Sequence, residues 1–192
     1  MLDTAARIFY ERGYANASVQ DVAEALGILK GSLYHYIDTK EDLLFRLLDE
    51  TQDEVHGILE EIDALEHMDP LVKLRLYVRR QIEFNMDNLV RVSVYYHELD
   101  HLSPEPRGEL LARRRMHEQF VTALVREAQE RGVVDPRLDA EGASRCIFAT
   151  IIWTYRWYSP ERDDRAHIAE TCAAFAVNGL AAGRLDHLPS GR

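Results

Sequence analysis

The chain has 192 residues, of which 46% are apolar, so it is long enough for one or two domains with a real hydrophobic core. Its uninterrupted apolar runs fall well short of the ~18 residues of a membrane span, and Met1–Thr4 lacks the basic and apolar segments of a secretory signal. We therefore expect a cytoplasmic protein without a membrane partner, and its net charge of −10 argues against binding nucleic acid through overall charge alone.

Apolar residues recur at helical spacing along the whole chain, and the sequence shows no strand-like alternation of any length. Proline, glycine and capping residues divide this pattern into nine predicted helices. The first four run over 2–12, from Ser18 to Gly27, over 29–36, and from a cap at Asp38 or Thr39 past Leu59. The other five run over 70–85, 88–102, 104–132, 139–158 and 164–182, and Gly183 is the C-cap of the last. The sequence therefore predicts an all-α fold with three short helices, a connector and a bundle.

The segment around Gly27 favours a helix-turn-helix. Gly27 permits the positive φ of a tight turn, and Ala23 is small enough for two helices to pack closely. We expect Leu33 and Tyr36 to anchor the second helix. Its hydrogen-bonding side chains are Lys30, Ser32, Tyr34 and His35. Such side chains near a helix N-terminus suit a reader of the major groove, although a packing motif with a solvated polar face shares this spacing.

The segment from Ser18 to Leu44, SVQDVAEALGILKGSLYHYIDTKEDLL, closely resembles the DNA-binding signature of the TetR family of transcriptional regulators. Its runs GSLYHY and TKEDL are the most specific parts. Ile37 departs from the signature because the family often has an aromatic residue there, and the basic residues that usually precede the first helix are absent. The resemblance implies a nine-helix regulator, a homodimer on operator DNA that responds to a small molecule, with no catalytic residue and no cofactor.

By this resemblance, a set of residues in and around the second helix of the pair contacts DNA. The implied phosphate contacts are Ser18, Tyr34, His35 and Lys40, and the residues implied to face base edges are Leu29, Lys30, Gly31 and Ser32. Near residue 46 the spacing changes from tight turns to long helices. We therefore predict a DNA-binding domain at 1–46 and a ligand-sensing and dimerisation domain at 47–192.

The run His97-Glu98-Leu99-Asp100-His101 matches H-E-x-x-H, in which two histidines one helical turn apart bind zinc beside a glutamate base. A zinc metallohydrolase is therefore the alternative function. The pattern has only three fixed positions, and the sequence offers neither an evident third ligand nor an edge strand for substrate. A pure interaction module is the remaining alternative for an all-helical chain.

The predicted helix that begins at Asp139 is apolar on nearly all sides, so it needs partners on several faces. The last helix adds small residues that permit close helix contact. We interpret the two helices as a dimer interface across a two-fold axis, which is also their role in TetR-like proteins. The predicted interface residues are Trp157, Tyr158, Cys172, Phe175, Ala176 and Leu180.

Aromatic and flexible apolar residues cluster on the middle helices, either as plain core or as the lining of an apolar cavity with a few polar groups. The predicted lining is Phe84, Tyr95, Tyr96, Glu98, Met116, Phe120, Phe148, Ile152, Trp153 and Arg156. The run WTYRWYSP at 153–160 resembles a subset of TetR regulators tied to fatty-acyl or sterol-derived CoA thioesters. That resemblance implies an acyl-CoA-like effector that lowers operator affinity.

Overall fold

The computed structural model describes residues 1–181, and this part of the chain consists of helices and connecting turns without a strand. The expectation of an all-α fold is confirmed. The helices are α1 (Leu2–Arg12), α2 (Val19–Ala25), α3 (Lys30–Leu33), α4 (Lys40–Asp63), α5 (Pro70–Asp87), α6 (Leu89–Glu98), α7 (Pro104–Glu130), α8 (Ala140–Trp157) and α9 (Arg165–Ala181). A search of the described helices finds none that is both long and apolar enough to span a membrane. The predicted end of the last helix at Ala182 and Gly183 lies outside the described residues.

Local capping residues set most helix starts where the sequence predicts them. The Ser18 hydroxyl accepts a hydrogen bond from the Asp21 amide at 3.1 Å, and the Asp21 carboxylate accepts one from the Ser18 amide at 2.7 Å. Thr39 Oγ1 accepts from the Asp42 amide at 3.0 Å, so Thr39 caps α4. Asp69 Oδ1 accepts from the Leu71 amide at 2.9 Å and opens α5. Because each of these bonds joins near neighbours, the sequence alone is sufficient to predict them.

Two predicted helices are shorter in the structure. The helix expected over 29–36 is α-helical only from Lys30 to Leu33, and the following turn is tightened by a bond from the Tyr36 amide to the Leu33 carbonyl at 2.9 Å. The helix expected over 88–102 ends at Glu98 and continues as a 3-10 turn, Leu99–His101. Bonds from residue i+3 to residue i rotate the following side chains away from the α-helical stripe, which changes which of them are buried.

The described chain divides into two compact units, each with its own hydrophobic core. The first unit combines Met1–His56 with Asp87–Arg114, and the second combines Gly57–Met86 with the chain from Arg115 onward. Helices α4 and α7 therefore contribute one end to each unit. The structure assigns α6 to the same unit as α1–α3, which a linear boundary at residue 46 does not anticipate. That boundary stays a prediction about which residues bind DNA.

Candidate DNA-binding site and sensor core

Helices α2 and α3 of the first unit are held by a few buried side chains and leave one side of α3 in solvent. Val22 and Ala23 on α2 are fully buried. Leu33 is also fully buried and Ile37 is 2% exposed, so these two residues anchor α3 and the turn that follows it. Between α2 and α3, Gly27 has φ +69° in the tight turn, and the Ile28 amide bonds to the Ala23 carbonyl at 3.0 Å. The turn geometry is therefore the one that a helix-turn-helix needs.

The expectation that Tyr36 anchors the second helix is wrong. Its side chain is 66% exposed, and Ile37 takes its place in the core. The 3-10-type turn after Leu33 rotates Tyr36 outward, which a pattern based on continuous α-helix cannot anticipate. Tyr36 is therefore a solvent-exposed aromatic residue beside Tyr34 in the sequence, and we add it to the candidate DNA contacts.

Most of the side chains predicted to contact DNA lie at the surface of the first unit. Leu29 is 80% exposed, and Ser32 is half-buried. The exposed members of the set are Leu29, Lys30, Gly31, Tyr34 and His35. Lys30 Nζ lies 5.7 Å from the centroid of the Tyr34 ring, within the range of a cation–π interaction. The DNA contacts themselves stay predictions.

Ser18 caps α2 in the structure, and its predicted phosphate contact stays a prediction. Its amide and its hydroxyl both donate to Asp21 Oδ2, at 2.7 and 2.6 Å, so a phosphate would have to replace one of these bonds. The two bonds from Ser18, followed by Arg12 Nη1 at 2.6 Å from Asp21 Oδ1, lower the pKa of Asp21. Ser18 therefore fixes the start of α2.

Lys40 has one internal partner before any DNA is bound. Its ammonium donates to the Tyr14 carbonyl and lies 4.1 Å from the centroid of the Tyr14 ring. Burial lowers the pKa of Lys40 and is the largest influence on it. An ammonium has three N–H donors, so two of them are left for a phosphate. The phosphate contact by Lys40 stays a prediction.

The H-E-x-x-H run does not form a metal site in this fold. Glu98 Oε1 accepts from the Tyr14 amide at 3.2 Å, and Glu98 Oε2 lies 3.2 Å from His101 Nε2. Because α6 ends at Glu98, His97 and His101 are not on successive turns of one α-helix. Among residues 1–181, no group of three His, Cys, Asp or Glu side chains is placed to hold a metal ion. This arrangement does not support the zinc metallohydrolase alternative.

Glu98 and its neighbours instead join the end of α6 to the loop after α1. The rings of Tyr14 and His101 lie 5.2 Å apart. Burial raises the pKa of Tyr14, and the carboxylates of Glu41 and Glu98 raise it further. We call Tyr14, Lys40, Glu98 and His101 the Tyr14 clasp, because all four meet at this loop.

Cations in the segment from α1 to the start of α4 are few, and two of them are paired. Arg12 pairs with Asp21 at 2.6 Å, and Arg46 pairs with Asp42 at 2.8 Å. Lys30 forms no ion pair within the part of the chain that the structure describes, and no Asp or Glu occurs between Leu26 and Ile37. The face of α3 is therefore free of acidic residues within a protein of net charge −10, which matters because phosphate repels carboxylates.

The core of the second unit contains a line of buried polar side chains on α5. Tyr77, Gln81 and Asn85 are spaced four residues apart, and each is at most 4% exposed. The Tyr77 hydroxyl lies 2.8 Å from Nδ1 of the buried His117, and Asn85 Nδ2 donates to the Ile151 carbonyl at 2.9 Å. These groups are not among the residues predicted from the sequence, although the spacing of residues 77, 81 and 85 places them on one side of a helix.

The ten residues predicted to line a ligand cavity do not form one lining within either unit. Three of them, Tyr95, Tyr96 and Glu98, belong to the first unit. In the second unit, the residues that pack on the core are Phe84, Phe120, Phe148 and Ile152, and the exposed ones are Met116, Trp153 and Arg156. Core and surface residues share the same helical spacing, so the predicted ligand contacts of these residues stay a prediction.

An open groove of about 360 Å³ lies between α7 and α8 of the second unit. Its lining is mostly polar and consists of Arg115, Glu118, Gln119, Thr122, Ala123, Arg126, Glu141, Ser144 and Arg145. Arg126 pairs with Glu141 at 3.1 Å across it. None of the residues predicted to bind the effector lines this groove.

The predicted dimer residues divide into exposed and buried groups. Trp157 on α8 and Phe175 on α9 are 43% and 71% exposed, and Trp153, one turn before Trp157, is 58% exposed. Cys172 and Tyr158 are partly buried. Ala176 and Leu180 are buried in the core of their own unit, so their assignment to an interface is corrected. Trp153 was predicted to bind ligand, and its exposure makes it a candidate for the interface.

The chain matches two protein families in succession. Residues 1–47 match the family described as bacterial regulatory proteins, tetR family, and residues 67–180 match the tetracyclin repressor-like C-terminal domain. The chain belongs to the TetR family. Its members are DNA-binding regulators of transcription, and the chain is therefore a regulator rather than an enzyme.

The chain is similar to transcriptional regulators in both sequence and structure. The chain is 32% identical over 186 residues to the HTH-type transcriptional repressor KstR2 of Rhodococcus jostii, covering 94% of this chain and 89% of the relative. The structure of the ketosteroid transcriptional regulator KstR2 of Mycobacterium tuberculosis has a TM-score of 0.85 at 27% identity, over 93% and 92% of the two chains. The structure of AibR in complex with isovaleryl coenzyme A and operator DNA has a TM-score of 0.82 at 28% identity, over 91% and 94%.

Proposed function

We propose that this TetR-family regulator is a repressor that binds a palindromic operator as a homodimer and is released by a small apolar effector. The observation that carries the proposal is the surface of α3. Leu29, Lys30, Tyr34 and Tyr36 are exposed there, on a backbone anchored by buried Leu33 and free of acidic side chains. These are the groups that major-groove contacts and phosphate contacts require. Because the partner is operator DNA, the proposal implies a cytoplasmic protein.

The homodimer is supported by the outer faces of α8 and α9. Trp153, Trp157 and Phe175 are each exposed, and such a ring buries ~150–250 Å² when it is fully covered. Aromatic residues are enriched at protein–protein interfaces. A second copy of the chain is the occupant that suits a two-fold symmetric operator, because a dimer places one α3 on each half-site.

The effector is proposed to bind within the second unit, beside the polar line on α5. Tyr77, His117 and Asn85 can exchange their internal hydrogen bonds for bonds to a ligand, while Phe120 and Phe148 supply apolar contacts. Aromatic walls with a few oriented polar groups are typical of small-molecule sites. An acyl-CoA thioester is the effector class we favour, since AibR is described in complex with isovaleryl coenzyme A and the KstR2 relatives are regulators named for ketosteroids.

The proposal is tested by selecting bound duplexes from a genomic fragment library and then titrating effectors against the purified complex at fixed salt. We expect the selected duplexes to share an inverted repeat. We also expect one of isovaleryl-CoA, long acyl-CoAs or sterol-derived CoAs to lower operator affinity at least tenfold. A tenfold change corresponds to about 1.4 kcal/mol in the free energy of operator binding between the effector-free and effector-bound protein. Tyr77→Phe should raise the effector concentration needed for release, whereas Lys73→Ala on the same helix should not. Failure to enrich any DNA would refute the regulator, and enrichment without release by any CoA thioester would refute the effector class alone.

A further inference from the structure

Leu29 is the most exposed large apolar side chain of the described residues, at 80%. Its backbone is extended, with φ −71° and ψ 144°, and it lies in the turn that leads into α3. The Ser32 amide bonds to the Leu29 carbonyl at 2.9 Å, and Leu33 is fully buried. The side chain of Leu29 therefore points into solvent from a backbone that is held on both sides, so it can contact a partner without a change in the backbone.

The surroundings of Leu29 indicate what covers it. Lys30 follows directly, and the exposed rings of Tyr34 and Tyr36 belong to the same acid-free segment. An apolar partner protein would bury the Lys30 ammonium without a counter-charge, which is costly. The major groove of DNA instead offers base edges beside phosphates, so it can accept an apolar side chain and a cation as neighbours.

We propose that Leu29 reads the C5-methyl group of one thymine in each operator half-site. This inference rests on the proposed function, because it requires α3 to enter the major groove. The thymine methyl is the only apolar group that a base pair presents on that edge, and every other group there is a hydrogen-bond donor or acceptor that a leucine would leave unsatisfied. Lys30 can donate to guanine O6 and N7, so the adjacent position is expected to prefer guanine.

The test uses the operator selected with the wild-type protein. Each thymine of one half-site is replaced in turn by deoxyuridine, which removes the methyl group and keeps every hydrogen-bonding group of the base. We expect one thymine at which this replacement weakens wild-type binding by roughly fourfold, the effect of one buried methyl group. Leu29→Ala should bind the unmodified operator more weakly and lose this sensitivity at that thymine. Ile28→Ala is the control. Ile28 precedes Leu29 and is 39% exposed, and this variant should retain the sensitivity to deoxyuridine.

The outcomes separate this inference from the function on which it rests. A wild-type protein that is indifferent to deoxyuridine at every thymine would overturn the role of Leu29 while leaving operator binding intact. The role of Leu29 would also be overturned if Leu29→Ala kept the full sensitivity or if Ile28→Ala alone lost it. If the selection enriches no DNA, the regulator proposal fails, and the reading of thymine fails with it. As an independent readout, Leu29→Gln should shift the selected base at that position from thymine to adenine.

Discussion

The Tyr14 clasp can be tested with two substitutions at Glu98, one that removes its hydrogen bond and one that removes only its charge. The Glu98 side chain is 13% exposed, and its Oε1 accepts from the Tyr14 amide at 3.2 Å. Glu98→Ala leaves that amide without an acceptor in a partly buried place, which costs about 1–2 kcal/mol of the free energy of unfolding. The contact with His101 adds little, because the His101 side chain is 45% exposed and such pairs contribute about 0–0.5 kcal/mol.

Glu98→Gln keeps an oxygen that can accept from the Tyr14 amide, so its cost should stay below about 0.5 kcal/mol. The assay is hydrogen exchange of the Tyr14 amide, which should be roughly 5–30 times faster in Glu98→Ala and nearly unchanged in Glu98→Gln. Glu105→Ala in the first turn of α7 removes an exposed carboxylate of the same unit and serves as the control.

Equal exchange rates in Glu98→Ala and Glu98→Gln would contradict this reasoning, because the two side chains differ in the acceptor they offer to Tyr14. Operator affinity provides a second readout. A looser loop after α1 should weaken binding in Glu98→Ala, and restoring the acceptor in Glu98→Gln should rescue it. Rescue would show that the end of α6 supports the DNA-binding helices through one hydrogen bond rather than through general stability.

Three further predictions follow from single residues. Lys30→Ala should cost about 1–3 kcal/mol in operator affinity and relax base preference at one position per half-site in a competition assay, whereas Lys73→Ala in the second unit should change neither. Trp157→Asp should yield a monomer in sedimentation experiments, because an unpaired charge in an apolar interface costs several kcal/mol. Val72→Asp, at another exposed apolar site, should leave the dimer intact. A wild-type protein that is monomeric at micromolar concentration would contradict the proposed interface. Burial raises the pKa of Tyr95 to about 12, so the folded protein favours the neutral form of its hydroxyl. The free energy of unfolding should therefore fall as the pH rises from about 10 to about 12. Urea titrations should show that Tyr95→Phe reduces this loss, and an unchanged pH dependence would refute the assignment.

Several parts of the molecule follow from the sequence by itself, because they depend on neighbours a few residues apart. The Ser18–Asp21 capping box, the Thr39 cap, the Asp69 cap and the turn at Gly27 are all local, and they lie at the helix boundaries that the sequence predicts. The signature from Ser18 to Leu44 was also sufficient to identify the family. Capping and turn formation need no knowledge of the rest of the fold.

Only the tertiary structure decided which face of each helix is used. Helical spacing treats Tyr36 and Ile37 as equal candidates for the core, and the tightened turn after Leu33 buries Ile37 alone. The same spacing placed Ala176 and Leu180 at an interface, although the helices of their own unit bury them. Glu98 is the clearest case, since its partner Tyr14 lies 84 residues earlier in the chain and no local pattern records that contact. Side-chain burial and pairing depend on which helices the fold brings together, and a periodic sequence specifies that a helix has an apolar side without specifying its neighbour.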